Sequence, residues 1–263
     1  MSKTHKNAGH FFALAIWAIS LSAALPVANA RADLRDDFIA GSTNKCAGCN
    51  LTGLNLKRRD LTGADLSAAD LKGANLHDAR LAGANLAGTD FTGANLNKAN
   101  LSRADLSNAR LRGAMLYGAN LDGAKLAGAD LADAMMGVAH LTRSDISGAS
   151  LRGADLRKSR LAEAKLIGAD LSGAALDFAF LRSARLDRAN LNGTRLMGAE
   201  LVEASLAGAD LHGANALGAN LRGASLLRAK LTGTNFSKAN LYEVNLDGAA
   251  FEATVMPDGT IRP

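Results

Sequence analysis

The chain has 263 residues, of which 48% are hydrophobic but only 4% aromatic, and its formal net charge is +5. So few aromatic side chains are unusual for a globular core, and this composition directs attention to internal repeats. Positive and negative side chains are interspersed, so the basic balance does not by itself indicate a nucleic-acid partner.

The N-terminus matches a secretory signal peptide. A basic start, MSKTHKNAGH, precedes an apolar run of 15 residues from Phe11 to Leu25 and a small tripeptide, Ala-Asn-Ala, that ends at Ala30. We predict that residues 1–30 are a signal peptide cleaved near Ala30, which leaves a secreted or periplasmic protein without a stable membrane span. A retained anchor is the alternative, but the run is shorter than the about 20 residues that cross a bilayer.

Two short segments flank a long repeat that runs over residues 46–254. Residues 31–45 are predicted to form an N-terminal cap, in part a short helix, because the end of a stacked repeat needs a cover. Residues 255–263 are predicted to form a C-terminal tail, in which Pro-Asp-Gly at positions 257–259 is typical of a turn.

The repeat has a period of five. Every fifth residue from Leu51 to Phe251 is large and apolar except Ala216, and 35 of these 41 ladder positions are Leu. Two residues earlier, 32 of 38 positions from 64 to 249 are Ala, and the consensus is A-(D/N)-L-x-G. This period fits neither a helix nor one long strand. A short extended piece puts Ala and Leu on one face, x-Gly turns the corner, and stacked coils bury that face.

Units such as ADLSA (64–68) and ANLNK (94–98) resemble the pentapeptide-repeat family. The resemblance covers about residues 46–254 and implies an all-β fold, a right-handed quadrilateral β-helix with four units per coil and about ten coils. The distribution of glycine supports four distinct sides. The positions two residues after the ladder positions form four rows of ten when they are taken at intervals of 20 residues. One row holds nine Gly, and the other three rows hold three, four and six. At about 4.8 Å per coil the rod is on the order of 50 Å long.

Cys46 and Cys49 form the only Cys-x-x-Cys of the chain. Both fall on inward positions of the register, which favours a buried structural pair, reduced or disulfide-bonded. The alternative is a periplasmic thiol/disulfide protein that uses these two residues, since disulfides persist after export. Neither four zinc ligands nor Cys-x-x-Cys-His is present, so we expect no metal site and no cofactor.

No catalytic constellation emerges from the register. His77, His140 and His212 fall on three different sides, so none is placed beside a nucleophile that it could activate. A tightly filled interior also leaves no concave pocket for a small-molecule substrate. We therefore expect a non-enzymatic protein without catalytic residues.

Some relatives in the family resemble a DNA duplex and shield type II topoisomerases from quinolones, so this DNA-mimic function is an alternative. It is disfavoured because a mimic of DNA should be strongly acidic and because export separates the chain from gyrase. Nucleic acid is not expected as a partner either, since stacking aromatic residues are nearly absent.

One predicted side departs from the polar consensus. Outward positions next to ladder positions 116, 136, 176, 196 and 216 are apolar, and Phe180 follows just past the corner. We call these residues the apolar strip: Met115, Tyr117, Met135, Val138, Phe178, Phe180, Met197 and Leu217. An exposed apolar strip predicts a surface for an unknown protein partner or a homodimer; drift of the repeat is the alternative. Arg157, Lys158 and Arg195 lie among these residues, which favours an acidic or amphiphilic partner. The sequence thus predicts an exported, non-enzymatic structural or protein-interaction scaffold.

Overall fold

The structure is a computed structural model that describes residues 25–262. Within them, helix α1 (Leu25–Ala40) precedes the repeats, and the short strands β1 (Thr254–Val255) and β2 (Ile261–Arg262) follow them. Residues 1–24 of the predicted signal peptide lie outside the described residues.

The repeats wind into a solenoid. Isolated parallel bridges join residues 20 positions apart along the whole repeat, beginning with Lys45 and Asp65 and ending with Asn235 and Val255. Twenty residues hold four five-residue units, so each coil has four sides. The residue before each ladder position forms the bridge, which leaves the ladder residue pointing to the interior.

Backbone hydrogen bonds explain the five-residue unit. The Leu66 amide donates to the Asn85 carbonyl of the next coil (2.9 Å), and the Ala69 amide donates to the Leu66 carbonyl (3.0 Å), which closes a turn. The Asp65 carboxylate accepts the Ser67 amide (3.2 Å), a role that favours Asp or Asn in the consensus. The last unit residue, Ala68, has a φ of 53°, the left-handed conformation that explains the usual Gly.

The interior is a continuous column of Leu and Ala. Ladder residues such as Leu156 and Leu196 are at most 1% exposed, and the intervening Ala residues are equally buried. Four Thr residues replace Ala, and each hydroxyl donates to the carbonyl of a Leu 23 residues earlier at 2.7–2.9 Å. These are Thr89, Thr194, Thr234 and Thr254. Polar substitutions therefore enter the core only with a hydrogen-bond partner.

Helix α1 lies against the first coil. Phe38 is fully buried, and the Arg59 guanidinium lies 4.4 Å from the centre of its ring. Arg35 Nε also donates to the Asn50 carbonyl (2.9 Å). The helix begins at Leu25, before the 31–45 segment predicted as the cap, and none of the described helices is long and apolar enough to be a membrane span.

The C-terminal segment folds back as a hairpin. Strand β1 pairs antiparallel with β2, with Thr254 opposite Arg262. The Gly259 amide donates to the Met256 carbonyl (2.9 Å), which makes a turn where Pro-Asp-Gly predicts one. The hairpin lies after Phe251, the last ladder residue, and Arg262 lies 4.5 Å above that ring.

Candidate interaction surface

The structure places five residues of the apolar strip at the surface. Their exposed fractions range from 37% to 56%, and they are Tyr117, Met135, Phe178, Phe180 and Met197. The other three, Met115, Val138 and Leu217, are only partly exposed. The strip is therefore less uniformly exposed than the sequence predicts.

An ion pair divides the strip into two clusters. The first cluster comprises Met115, Tyr117, Met135 and Val138, and the second comprises Phe178, Phe180, Met197 and Leu217. Between them lies the coil that carries Asp155 and Arg157. The Arg157 guanidinium donates twice to the Asp155 carboxylate, at 2.8 and 2.6 Å. The hydrogen bond from Arg157 lowers the pKa of Asp155, although burial opposes this effect.

The first cluster surrounds an open groove of about 420 Å³. The Tyr117 ring lies over Gly137, close enough that a Cβ at that position would be 3.3 Å from the ring carbon Cδ2. The Tyr117 amide donates to the Asn97 side-chain oxygen of the preceding coil (2.8 Å), which positions the backbone of Tyr117. Met115 and Met135 form a parallel bridge pair beside the ring, and Arg157 lies at the rim.

The second cluster has a different arrangement. The Phe178 ring extends over Gly198 of the next coil, where a Cβ would be 2.6 Å from the ring. Phe180 lines a shallow depression of about 350 Å³ with Thr142, Arg160 and Ala162. Nearby, Arg195 Nε donates to the nearly buried Asp177 carboxylate (3.0 Å). The second cluster therefore presents two projecting rings rather than a groove.

Gly137 is the one contributor to this surface that sequence reasoning missed. It is the only Gly at the x position of a unit between 51 and 251, which is a signal visible in the sequence. Its meaning depends on the ring one coil earlier, so the five-residue consensus alone does not reveal it. In the fold, Gly137 is the floor beneath Tyr117.

Cys46 and Cys49 form a disulfide at the start of the solenoid. They are 0% and 2% exposed, and the Cys46 sulfur lies 3.7 Å from the Leu34 carbonyl oxygen of α1. Redox-active cysteines are usually partly exposed, whereas these two are buried. In residues 25–262 no group of three or more His, Cys, Asp or Glu side chains is arranged to hold a metal ion.

These features define a repeat solenoid with a filled interior and an apolar strip along one side and its corner. Eight copies of the pentapeptide repeat model match the chain, together spanning residues 45–256 with one gap at residue 138. The chain therefore belongs to the pentapeptide-repeat family. The search of curated proteins returned no match.

Solved structures of other pentapeptide repeat proteins are similar to this chain. HetL from the cyanobacterium Nostoc sp. strain PCC 7120, involved in heterocyst differentiation regulation, is 35% identical over 88% of this chain and 98% of HetL, with a TM-score of 0.61. A protein from the Arabidopsis thaliana thylakoid lumen is 31% identical over 45% of this chain and 72% of its own, with a TM-score of 0.29. A form of QnrB1, a plasmid-mediated fluoroquinolone resistance protein, is 20% identical over 74% of this chain and 88% of its own, with a TM-score of 0.33.

Proposed function

We propose that this protein is an exported, non-enzymatic scaffold that binds a protein partner, or a second copy of itself, through the apolar strip. One observation carries the proposal. Nine large apolar residues are exposed in the described part of the chain; five belong to the strip, and the other four lie in α1 or in the last coil and hairpin. Drift of the repeat would scatter such residues over all four sides, whereas a binding surface collects them.

The interior supports a scaffold rather than an enzyme. Ladder and Ala positions fill the column, and the depressions at the surface are open and shallow, unlike the enclosed sites that usually bind small substrates. The proposal includes the finer fold expectations from the family, namely a right-handed quadrilateral β-helix of about ten coils. Mixed surface charge, with Asp and Glu repeatedly paired to Arg and Lys, does not favour the DNA-mimic alternative.

Export is the other part of the proposal, and it rests on the N-terminal sequence. Cell fractionation followed by mass spectrometry of the recovered protein tests it. We expect a periplasmic or secreted form that begins at Arg31. An intact chain in the cytoplasm would contradict export without affecting the strip.

A pull-down from periplasmic extract tests the strip, with the full-length chain expressed and recovered from its host as bait. The test variant carries Ser at Met115, Met135, Phe178 and Phe180. The control variant carries Ser at three outward polar positions of another side, Thr52, His212 and Thr232. We expect the partner, or dimerisation seen by light scattering, to be lost only in the test variant. Equal behaviour of all three proteins would contradict the proposal.

A further inference from the structure

The units that form the groove of the first cluster contain a reversal of the consensus. In the unit 134–138, glycine stands at the x position and valine stands at the position that usually holds glycine. Val138 has a φ of 51°, and it is the only β-branched residue in the described chain with a left-handed backbone. Branching at Cβ makes this conformation unfavourable. If coil stacking were the only requirement, glycine at position 138 and a larger residue at position 137 would be the more stable arrangement.

Gly137 has no backbone reason to be glycine. Every other glycine in residues 25–262 has a positive φ, but Gly137 does not. What distinguishes the position is the Tyr117 ring above it: a Cβ at position 137 would lie 3.3 Å from the ring and crowd it. Local conflicts of this kind concentrate at functional sites, where a shape is retained at some cost in stability. The shape retained here is the groove.

The charged side chains around the groove leave an excess of positive charge. Arg157 is occupied by Asp155, whereas Lys158 at the rim makes no ion pair within 4.0 Å among the described residues. Lys98, three coils earlier in the same column as Lys158, is likewise outside the ion pairs of residues 25–262. The carboxylate that could neutralise the rim is already paired. A ligand with acidic groups beside an apolar group therefore complements the groove.

Resting on the proposed function, we propose that the groove binds an extended acidic peptide segment. One aromatic or aliphatic side chain of the segment enters between Tyr117, Met135 and Val138, and its flanking carboxylates lie near Lys158 and Lys98. The groove is open along the surface and has a volume of about 420 Å³, so it can accept one side chain of a segment that lies across it. A concave site of this size suits a side chain better than the flat surface of a bilayer.

Selection from a random displayed peptide library on the full-length chain is the first test. We expect enrichment of peptides with Phe, Leu or Met flanked by Asp or Glu, and loss of that enrichment at high salt. Enrichment of basic peptides, or no enrichment, would overturn the proposal. So would binding to vesicles that contain anionic phospholipid in the absence of peptide enrichment.

A double variant, Gly137→Ser with Val138→Gly, restores the usual order of the repeat and fills the floor of the groove. We expect the affinity of the most enriched peptide, measured by fluorescence polarisation, to fall by about tenfold or more. The melting temperature should be unchanged or higher, which separates loss of the site from loss of the fold. Lys158→Gln should weaken binding and reduce its salt dependence. Unchanged affinity in the double variant would overturn the proposal.

The same double variant also separates this inference from the proposed function. If the pull-down partner is lost with the four-Ser variant but kept with the double variant, the groove is not the binding site and the scaffold function stands. Loss in neither variant contradicts both.

Discussion

Met135 and Met136 are neighbours in the chain but belong to two different regions of the molecule. Met136 occupies a ladder position and is fully buried, whereas Met135 is 46% exposed in the apolar strip. The interior repeats one apolar pattern because every coil must bury the same face against the next. Coil stacking makes no such demand on the strip. Stability and recognition are therefore assigned to adjacent residues of one five-residue unit.

The largest expected effect is at the ladder position of this pair. We expect Met136→Ala to lower the free energy of unfolding by about 2–5 kcal/mol, because it leaves a cavity in a filled column. Met135→Ala is the matched control and should change stability by no more than about 0.5 kcal/mol. Denaturant unfolding of both variants measures the difference. Equal losses would remove the distinction between interior and strip.

The disulfide should behave as part of the interior. Replacing Cys46 and Cys49 by Ser is expected to cost about 2 kcal/mol, since the bond closes a short loop in the unfolded chain. With reductant present, an alkylating probe should label neither thiol in the folded protein and both after unfolding. Rapid labelling of the folded protein would instead support the thiol/disulfide function.

A smaller loss of stability is expected when a buried hydroxyl group is removed from the interior. Thr194 is fully buried and donates its hydroxyl to the Leu171 carbonyl (2.9 Å). Thr194→Val should cost about 1 kcal/mol because it removes that hydrogen bond with little change in shape. Thr232→Val, at a half-exposed x position, is the control and should be close to neutral. Thermal unfolding of both variants checks the contrast.

The smallest expected change in stability is a gain rather than a loss. Val138→Gly should raise stability by about 0.5–1 kcal/mol, because relief of a left-handed backbone slightly exceeds the entropy cost of glycine. Val202→Gly is the control: Val202 is not among the residues with positive φ, so glycine there should lower stability by about 0.5–1 kcal/mol. Chemical denaturation distinguishes the two signs. A loss in both variants would show that Val138 is not strained.

The sequence predicts the interior far better than the surface. The spacing of Leu and Ala determines the register, because a five-residue period with one buried face has few solutions, and the 20-residue bridges agree with four units per coil. The partial exposure of Met115, Val138 and Leu217 is not set by the five-residue pattern alone. The role of Gly137 depends on where the Tyr117 ring lies. Such contacts join residues 20 positions apart and are not contained in any single unit.

The N-terminal helix is a second feature that depends on contacts distant in sequence. The sequence predicts a cap over residues 31–45, and the structure has α1 at Leu25–Ala40, so the helix overlaps both this segment and the end of the predicted signal peptide. What fixes the helix against the solenoid is the burial of Phe38 and its contact with Arg59, a residue of the second unit after the cysteines. Local sequence signals do not encode that contact, because the two residues lie 21 positions apart.

The most direct test of the central claim is the free energy of unfolding of the variant with Ser at Met115, Met135, Phe178 and Phe180. If the strip serves recognition and the interior serves stability, this variant should unfold within about 1 kcal/mol of the unmodified protein, as surface substitutions do. A loss of several kcal/mol, comparable with that of Met136→Ala, would show that the strip is part of the fold and contradict the account.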